Sequence, residues 1–285
     1  MTLPLAVRPI DPDDVVAAAR FLHDTLNDDV STAAWERLLQ PPWAPAGDRG
    51  FALYRDDRIV GVYAAVRSER DVGGQTISVC NLAAFCVQEE FRTHGLRLVR
   101  ALLAAEEVVF TDLSPSGNVV ALNERLGFRH LATEAFLAFN LPSPRTRGVV
   151  LSANPHTIAD ILDASDARIH DDHRRAQAAR HLVIQQGDTY AYLVYRRDRR
   201  KRLPVFATPL YAGGDRDLLR RAWPAVRTRL LRQGLVATLA EPRLLGFTPG
   251  SARRLRHPRA KMVRGAGWPD DAVDYLYSEL ALVSW

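Results

Sequence analysis

CVQEEFRTHGLRLVRALL, residues Cys86 to Leu103, is the stretch whose reading decides the fold. Its first residues read as the end of an apolar strand. Arg92-Thr93-His94-Gly95-Leu96-Arg97 reads as a short turn, and an amphipathic helix follows. A strand that passes through a glycine-containing turn into a helix leaves the first backbone N–H groups of that helix without intrahelical partners. With the positive end of the helix dipole, those groups form a seat for phosphate. Gly95 carries no Cβ and lets the backbone turn and come close to a ligand. A plain βα connection has the same outline, so the neighbouring elements must decide between the two.

Working outward, Val108 to Thr111 is a short apolar strand. A Ser/Pro/Gly-rich loop from Leu113 to Gly117 follows, then a short helix ending at Leu126-Gly127-Phe128. Gly127 ends that helix and Phe128 packs back on the core. Phe136 to Leu141 supplies another strand. Upstream, Ile77 to Val87 is the strand that enters the turn. Gly50 to Tyr54 and Ile59 to Val66 form a hairpin around Arg55-Asp56-Asp57-Arg58. Leu5 to Ile10 is a first strand. Asp11-Pro12-Asp13-Asp14 caps a helix over Val15 to Leu26, and Thr32 to Leu39 is a second helix closed by Pro41-Pro42.

Arg92-x-x-Gly95, entered from an apolar strand, together with Leu126-Gly127-Phe128 at the end of a later helix, resembles the GNAT superfamily of acyl-CoA-dependent N-acyltransferases. The resemblance covers about Leu3 to Leu141, the length of one such domain. Arg97 stands where that family usually has a small residue, and its cation either clashes with a pyrophosphate or pairs with it. The resemblance implies a mixed sheet whose strands splay near the turn to admit the pantetheine arm of acetyl-CoA or another acyl-CoA. It implies that Arg92, Thr93, His94, Gly95, Leu96 and Arg97 hold the pyrophosphate. Cys86 and Val87 would line the arm, with a backbone N–H near Val87 polarising the thioester carbonyl.

The acyl group would pass to the amine of a small molecule or peptide. Two positions depart from the pattern. Asn123 occupies the place of a frequent catalytic Tyr, and Asn81, beside Cys80, lies where some members carry a basic Glu. Asparagine donates hydrogen bonds but does not titrate. A non-catalytic acyl-CoA-binding or regulatory protein is therefore the alternative. Cys86, without an evident His partner, reads as a small buried residue, and Glu89 and Glu90 face solvent beside Arg92. Ser114 and Ser116 lie on the loop opposite the splayed strand, where they either touch substrate or simply keep the loop polar.

The second half echoes the first. Helices over Pro155 to Ala164 and Asp166 to Arg180 precede a hairpin of His181 to Gln185 and Tyr190 to Arg196. A strand, Leu203 to Leu210, runs into Ala212-Gly213-Gly214-Asp215. A helix over Arg216 to Gln233, a strand at Leu235 to Leu239, Leu245-Gly246-Phe247 and a long final strand over Ala272 to Val283 complete the series. The repetition predicts an α/β protein of two tandem GNAT-like domains, 1–143 and 149–285. Each is a mixed, mostly antiparallel, splayed sheet flanked by helices, and the two are joined by the breaker-rich segment 141–148. The second copy lacks Arg-x-x-Gly, and Asp215 repels phosphate, so it reads as degenerate.

Bulk composition is that of a globular protein, with 47% hydrophobic residues over 285 positions. No run reaches membrane-spanning length and the N-terminus lacks a signal-peptide pattern, which together predict a cytoplasmic protein. Cys80 and Cys86, six residues apart on one strand, are too distant for a disulfide. No His/Cys set has zinc spacing; His170 and His173 flank Asp171-Asp172 in what reads as an exposed helix end, and no metal is predicted. Residues 1–145 carry 14 Arg against 19 acids, a net −5, whereas residues 146–285 net +10. The arginine runs 196–202 and 253–259 lack interleaved aromatics, which argues against a nucleic-acid module.

Overall fold

The structure is a computed structural model of the chain and describes residues 5–44, 49–144, 146–200 and 203–284. Strand β1 (Ala6–Pro9) leads through a 3-10 turn, Pro12–Asp14, into α1 (Val15–Thr25). Helix α1 buries Val15, Ala18, Ala19, Phe21 and Leu22 on one face, and α2 (Thr32–Leu39) buries Ala34, Trp35, Leu38 and Leu39. These are the i, i+3, i+4 faces of amphipathic helices. Strands β2 (Gly50–Arg55) and β3 (Arg58–Val72) join through Asp56 and Asp57, whose φ of 50° and 60° give the primed turn that matches strand twist. β4 (Gln75–Val87) follows Gly73 and Gly74. A 3-10 helix, Glu89–His94, runs into α3 (Gly95–Leu103). β5 (Val108–Asp112), α4 (Gly117–Arg125), β6 (Arg129–His130) and β7 (Phe136–Phe139) complete the first half.

The second half contributes β8 (Val150–Ser152), α5 (Pro155–Ile161), α6 (Ala164–His173), β9 (Arg180–Gln186), β10 (Thr189–Arg200) and β11 (Leu203–Gly214). Then come α7 (Arg216–Arg232), β12 (Ala237–Ala240), α8 (Pro242–Leu245), β13 (Arg253–Arg254), β14 (Met262–Arg264) and α9 (Glu279–Leu282). Lys201 and Arg202 of the first arginine run lie outside the described residues.

Two mixed, mostly antiparallel sheets result. The first has the order β1-β2-β3-β4-β5-β14-β6 with β4 and β5 parallel; the second has the order β13-β7-β12-β11-β10-β9-β8 with β11 and β12 parallel. One core forms where Leu98, Val99 and Leu102 of α3 meet Leu53, Val60, Tyr63 and Phe110 of the first sheet. In the second, Leu218, Leu219, Trp223 and Val226 of α7 meet Leu182, Ile184 and Leu193.

The chain divides into two compact units, and two expectations about strands change. The first unit comprises 1–131, 260–273 and 277–283; the second comprises 132–259, 274–276 and 284–285. Strand β7, expected to close the first sheet, pairs with β12 in the second. Buried Asn140 holds it there, donating to the Leu235 carbonyl (2.8 Å) and accepting from the Thr238 hydroxyl (2.9 Å). In exchange, β14 enters the first sheet between β5 and β6. The long strand expected over Ala272 to Val283 does not form: Tyr277 has φ +53°, and Ser278 caps the short helix α9 by accepting the Leu280 N–H (3.2 Å).

Candidate functional site

Within the first unit, β4 and β5 pair in register from Ser78 with Val108 to Asn81 with Thr111, and the pairing stops there. β4 continues to Val87 with β3 alone beside it. The separation begins at a β-bulge. Ala64 pairs with Ala84 and Ala65 with Leu82, so Ala83 is the extra residue that bends the strand. From Asn81 to Val87 the open edge is roughly 20 Å long at about 3.3 Å per residue. Among the described residues, no strand pairs with this edge from Leu82 onward.

At the outer end of this edge lies a cavity of about 610 Å³, lined by Thr25 and Leu26 from the end of α1, by Phe85 to Glu89, and by Arg92. The lining combines apolar Leu26, Phe85 and Val87 with charged Glu89 and Arg92. Neither Gln88 nor His94 caps its helix with a side-chain hydrogen bond. The expected loop is wound as a 3-10 helix. Phe91 N–H donates to the Gln88 carbonyl (2.9 Å) and Gly95 N–H to the Arg92 carbonyl. Such i−3 bonds have poorer geometry than α-helical ones.

The individual residues sort as follows. Arg92 is exposed and paired with Glu89 at 2.9 Å. Thr93 and Leu96 are exposed and His94 is partly so. Gly95 has helical φ, and a Cβ there would come within 3.0 Å of Phe85 Cζ, so its bareness makes room for the ring rather than for an unusual backbone turn. Arg97 donates to the Leu5 carbonyl at 3.0 Å. Its guanidinium is thereby engaged beside the N-terminal strand. Cys86 is buried, and burial pushes its thiol up to about 12, so it is not an activated nucleophile.

At the inner end, where the strands part, a buried polar cluster collects. Asn81 accepts from the Thr111 hydroxyl (3.1 Å) and donates Nδ2–H to Glu279 Oε2 (2.5 Å). The Ser114 hydroxyl donates to Glu279 Oε1 (2.6 Å). Asn123 donates to Asp112 Oδ2 (2.8 Å). Burial, then the nearby Glu279 carboxylate, raises Asp112 to about 7, against the hydrogen bonds from Asn123 and from the Ser114 N–H. Asn81 and Asn123 are thus brought to one vertex, each bonded to a carboxyl group that sequence reasoning missed. Asp112 had a signal, an acid closing an apolar strand. Glu279 had none, since it lies 198 residues from Asn81.

In the second unit, His170 and His173 are buried (3% and 0% exposed) rather than set on an exposed helix end. His173 Nδ1 donates to the Ile169 carbonyl (2.9 Å). Among the described residues no group of three His, Cys, Asp or Glu side chains is placed to hold a metal ion. Nor is any helix among them long and apolar enough to cross a membrane.

No family model and no curated protein matches the sequence. Solved structures do match in shape. A GCN5-related N-acetyltransferase from Anabaena variabilis is 13% identical with a TM-score of 0.60, over 92% of this chain and 72% of its own. One from Kribbella flavida is 15% identical with a TM-score of 0.58, over 92% and 71%. A putative acetyltransferase from Pyrococcus horikoshii is 13% identical with a TM-score of 0.52, over 98% and 92%. With the parted β4–β5 pair and the strand-to-helix mouth, these likenesses show that the chain has the GNAT fold, that of the GCN5-related N-acetyltransferases.

Proposed function

We propose that the chain is an acyl-CoA-dependent N-acyltransferase whose first unit binds the thioester and passes its acyl group, acetyl in the simplest case, to an amine. The observation that carries this reading is the open edge of β4, which runs from a polar vertex to an uncapped helix mouth beside a 610 Å³ cavity. The arm of CoA would extend along 82–87, adding the backbone hydrogen bonds of a missing strand. The diphosphate would meet Arg92, Thr93 and His94 and the amides of the 3-10 turn through Arg97. Those amides exchange weak i−3 bonds for charge-assisted ones. Of the eight residues expected at this seat, Cys86 and Val87 line the arm, Gly95 and Leu96 serve through backbone, and Arg97 serves without its side chain. The second unit is read as a worn copy of the first.

Acyl transfer then requires that a carbonyl be polarised and an ammonium deprotonated. A backbone N–H near Val87 serves the first need. Asn123 is placed to donate to a charged group near the vertex and Asn81 to orient one, and neither transfers a proton. That inertness favours the second reading, an acyl-CoA-binding protein without turnover. Calorimetric titration with CoA, followed by thiol release from acetyl-CoA across a panel of primary amines, separates the two. Binding with turnover supports transfer, and binding alone supports the second reading. No binding at millimolar CoA removes both.

A further inference from the structure

We propose that Glu279 is the base of this transferase site, with Ser114 linking it to the place where β4 and β5 part and to the neighbouring carboxyl of Asp112; the inference rests on the acyl-transfer reading above. Three independent features of the first unit place Glu279. Its side chain is wholly buried at the vertex where β4 and β5 part. Both of its oxygens are held, Oε2 by Asn81 and Oε1 by the Ser114 hydroxyl. The chain reaches it through Tyr277, a bulky residue at φ +53° with little intrinsic tolerance for that conformation. Tyr277 is pinned by Arg70 over its ring (4.5 Å) and by an edge contact from Trp43 (4.9 Å). Backbone strain kept in place by packing, one turn before a buried acid, marks a residue held for its position.

Ser114 links the parts. It is half-buried, donates its hydroxyl to Glu279, and gives its N–H to Asp112. Tyr63 on β3 stands within electrostatic reach of both carboxyls, and each carboxyl stands within reach of the other. The Glu279 carboxylate adds to burial in disfavouring ionisation of Asp112, so Asp112 holds its proton to higher pH than a free carboxyl does. In the reaction, an ammonium acceptor gives one proton to Ser114 Oγ as the serine passes its own to Glu279. The free amine forms the C–N bond and the C–S bond breaks. The second amine proton goes to the departing thiolate, and the proton on Glu279 leaves through Ser114 to solvent.

The test uses the full chain, acetyl-CoA and the best amine of a panel containing lysine, spermine and glucosamine. Glu279→Gln should lower kcat by about 10²-fold, in the range of lost general-base catalysis, with CoA affinity unchanged and the acid limb of the pH–rate profile gone. Ser114→Ala should lower kcat by about tenfold while leaving the melting temperature near that of the parent. Without any substrate, Glu279→Gln should also reduce, without abolishing, the dependence of apo-protein stability on pH between about 4 and 7, because Asp112 stays buried but no longer faces a second charge. A Glu279→Gln protein that binds CoA and keeps both kcat and the acid limb overturns the inference while leaving the transferase reading intact. A parent protein that binds CoA but transfers to no amine overturns both, and a parent that fails to bind CoA removes the reading beneath them.

Discussion

Two of the strand-to-helix turns of this chain, β4 to α3 and β11 to α7, have the same outline and opposite contents. In the first unit, β4 leads to α3 through a turn that exposes Glu89, Glu90, Arg92 and Thr93 and whose helix has no side-chain cap. In the second, β11 leads through Gly213 and Gly214 into α7, and two carboxylates of the chain occupy the mouth. Asp215 accepts the Leu218 N–H (2.9 Å). Asp166 is fixed by the Tyr190 and Tyr211 hydroxyls (2.9 and 2.8 Å) and takes a backbone hydrogen bond from Gly214. A helix start attracts anions whatever their source. The second turn has satisfied that attraction with side chains of the chain, whereas neither helix start of the first turn has a side-chain cap. On the proposed reading, a worn copy would be recognised by its own acids standing where a phosphate would sit.

Matched glycine substitutions break the comparison most sharply. A Cβ at Gly213 would fall 2.2 Å from Asp166 Oδ1 and 2.6 Å from its Cγ. Asp166 has no room to withdraw, because both tyrosines and Gly214 hold it. Gly213→Ala should therefore cost about 3 kcal/mol in urea-melt stability, the upper range for overpacking. At Gly95 the obstacle is the far edge of the Phe85 ring at 3.0 Å, and that ring borders an open cavity. Gly95→Ala should cost less than about 1 kcal/mol for the same reason in reverse. Equal losses would mean that the first turn is as filled as the second.

Next in size is charge reversal at the open turn. Arg92→Glu should weaken CoA binding by about 30-fold, about 2 kcal/mol, the worth of a charge-assisted contact turned to repulsion. Global stability should barely change, since the pair it loses with Glu89 is exposed on both sides. Calorimetry showing unchanged affinity would move the phosphate site elsewhere.

Stability against pH sharpens the contrast further. Burial lowers His181 to about 4; its Nε2–H donates to the His173 carbonyl and Nδ1 accepts from Tyr192. The unfolded chain binds a proton below about 6.5 that the folded one refuses, so the stabilisation is full above 6.5 and lost as pH falls toward 4. Asp112, raised to about 7, has the opposite sign: its contribution is full below about 4 and lost as pH rises to 7. Acidification from pH 7 to 5 should loosen the second sheet around β9 and β10 and tighten β5, each by about 1–2 kcal/mol in hydrogen exchange corrected for intrinsic rates. His181→Gln should remove the first response and Asp112→Asn the second. A common sign in both sheets would defeat the argument.

What was readable in the sequence follows from range. Helices α1, α2 and α7, the hairpins β2–β3 and β9–β10, and the mouth after β4 are written in local periodicity and turn chemistry. The resemblance to a known fold came from two short motifs on those local elements. The exchange of β7 and β14 between sheets was not readable, because a strand of three or four residues such as Phe136–Phe139 carries no mark of its partner. The choice is made by Asn140 and Thr238, 98 residues apart. The vertex was half readable. Asn81 and Asn123 could be picked by position, but the carboxyls that give them meaning depend on a return of the chain announced by nothing near Asn81. The predicted strand over Ala272 to Val283 failed for a related reason. Its apolar residues are buried as a strand's would be, yet Tyr277 in the left-handed region and Ser278 as a cap redirect it into α9.

The smallest expected effect tests the finest distinction, between two arginines five residues apart in one motif. Arg92 points to solvent at the cavity rim; Arg97 reaches the Leu5 carbonyl. If side-chain placement and not mere proximity decides which cation meets a diphosphate, Arg97→Ala should change the CoA dissociation constant by less than about twofold. Stability should fall by about 0.5 kcal/mol, the worth of one exposed hydrogen bond at the N-terminal strand. Lengthening the exposed methylene stem is no substitute for a fixed position, so Arg97→Lys should behave like Arg97→Ala. A loss of CoA affinity matching that of Arg92→Glu would instead require Arg97 to leave Leu5 when ligand arrives. The opening of the 3-10 turn would then include the N-terminal strand, and hydrogen exchange at β1 on CoA binding would report it.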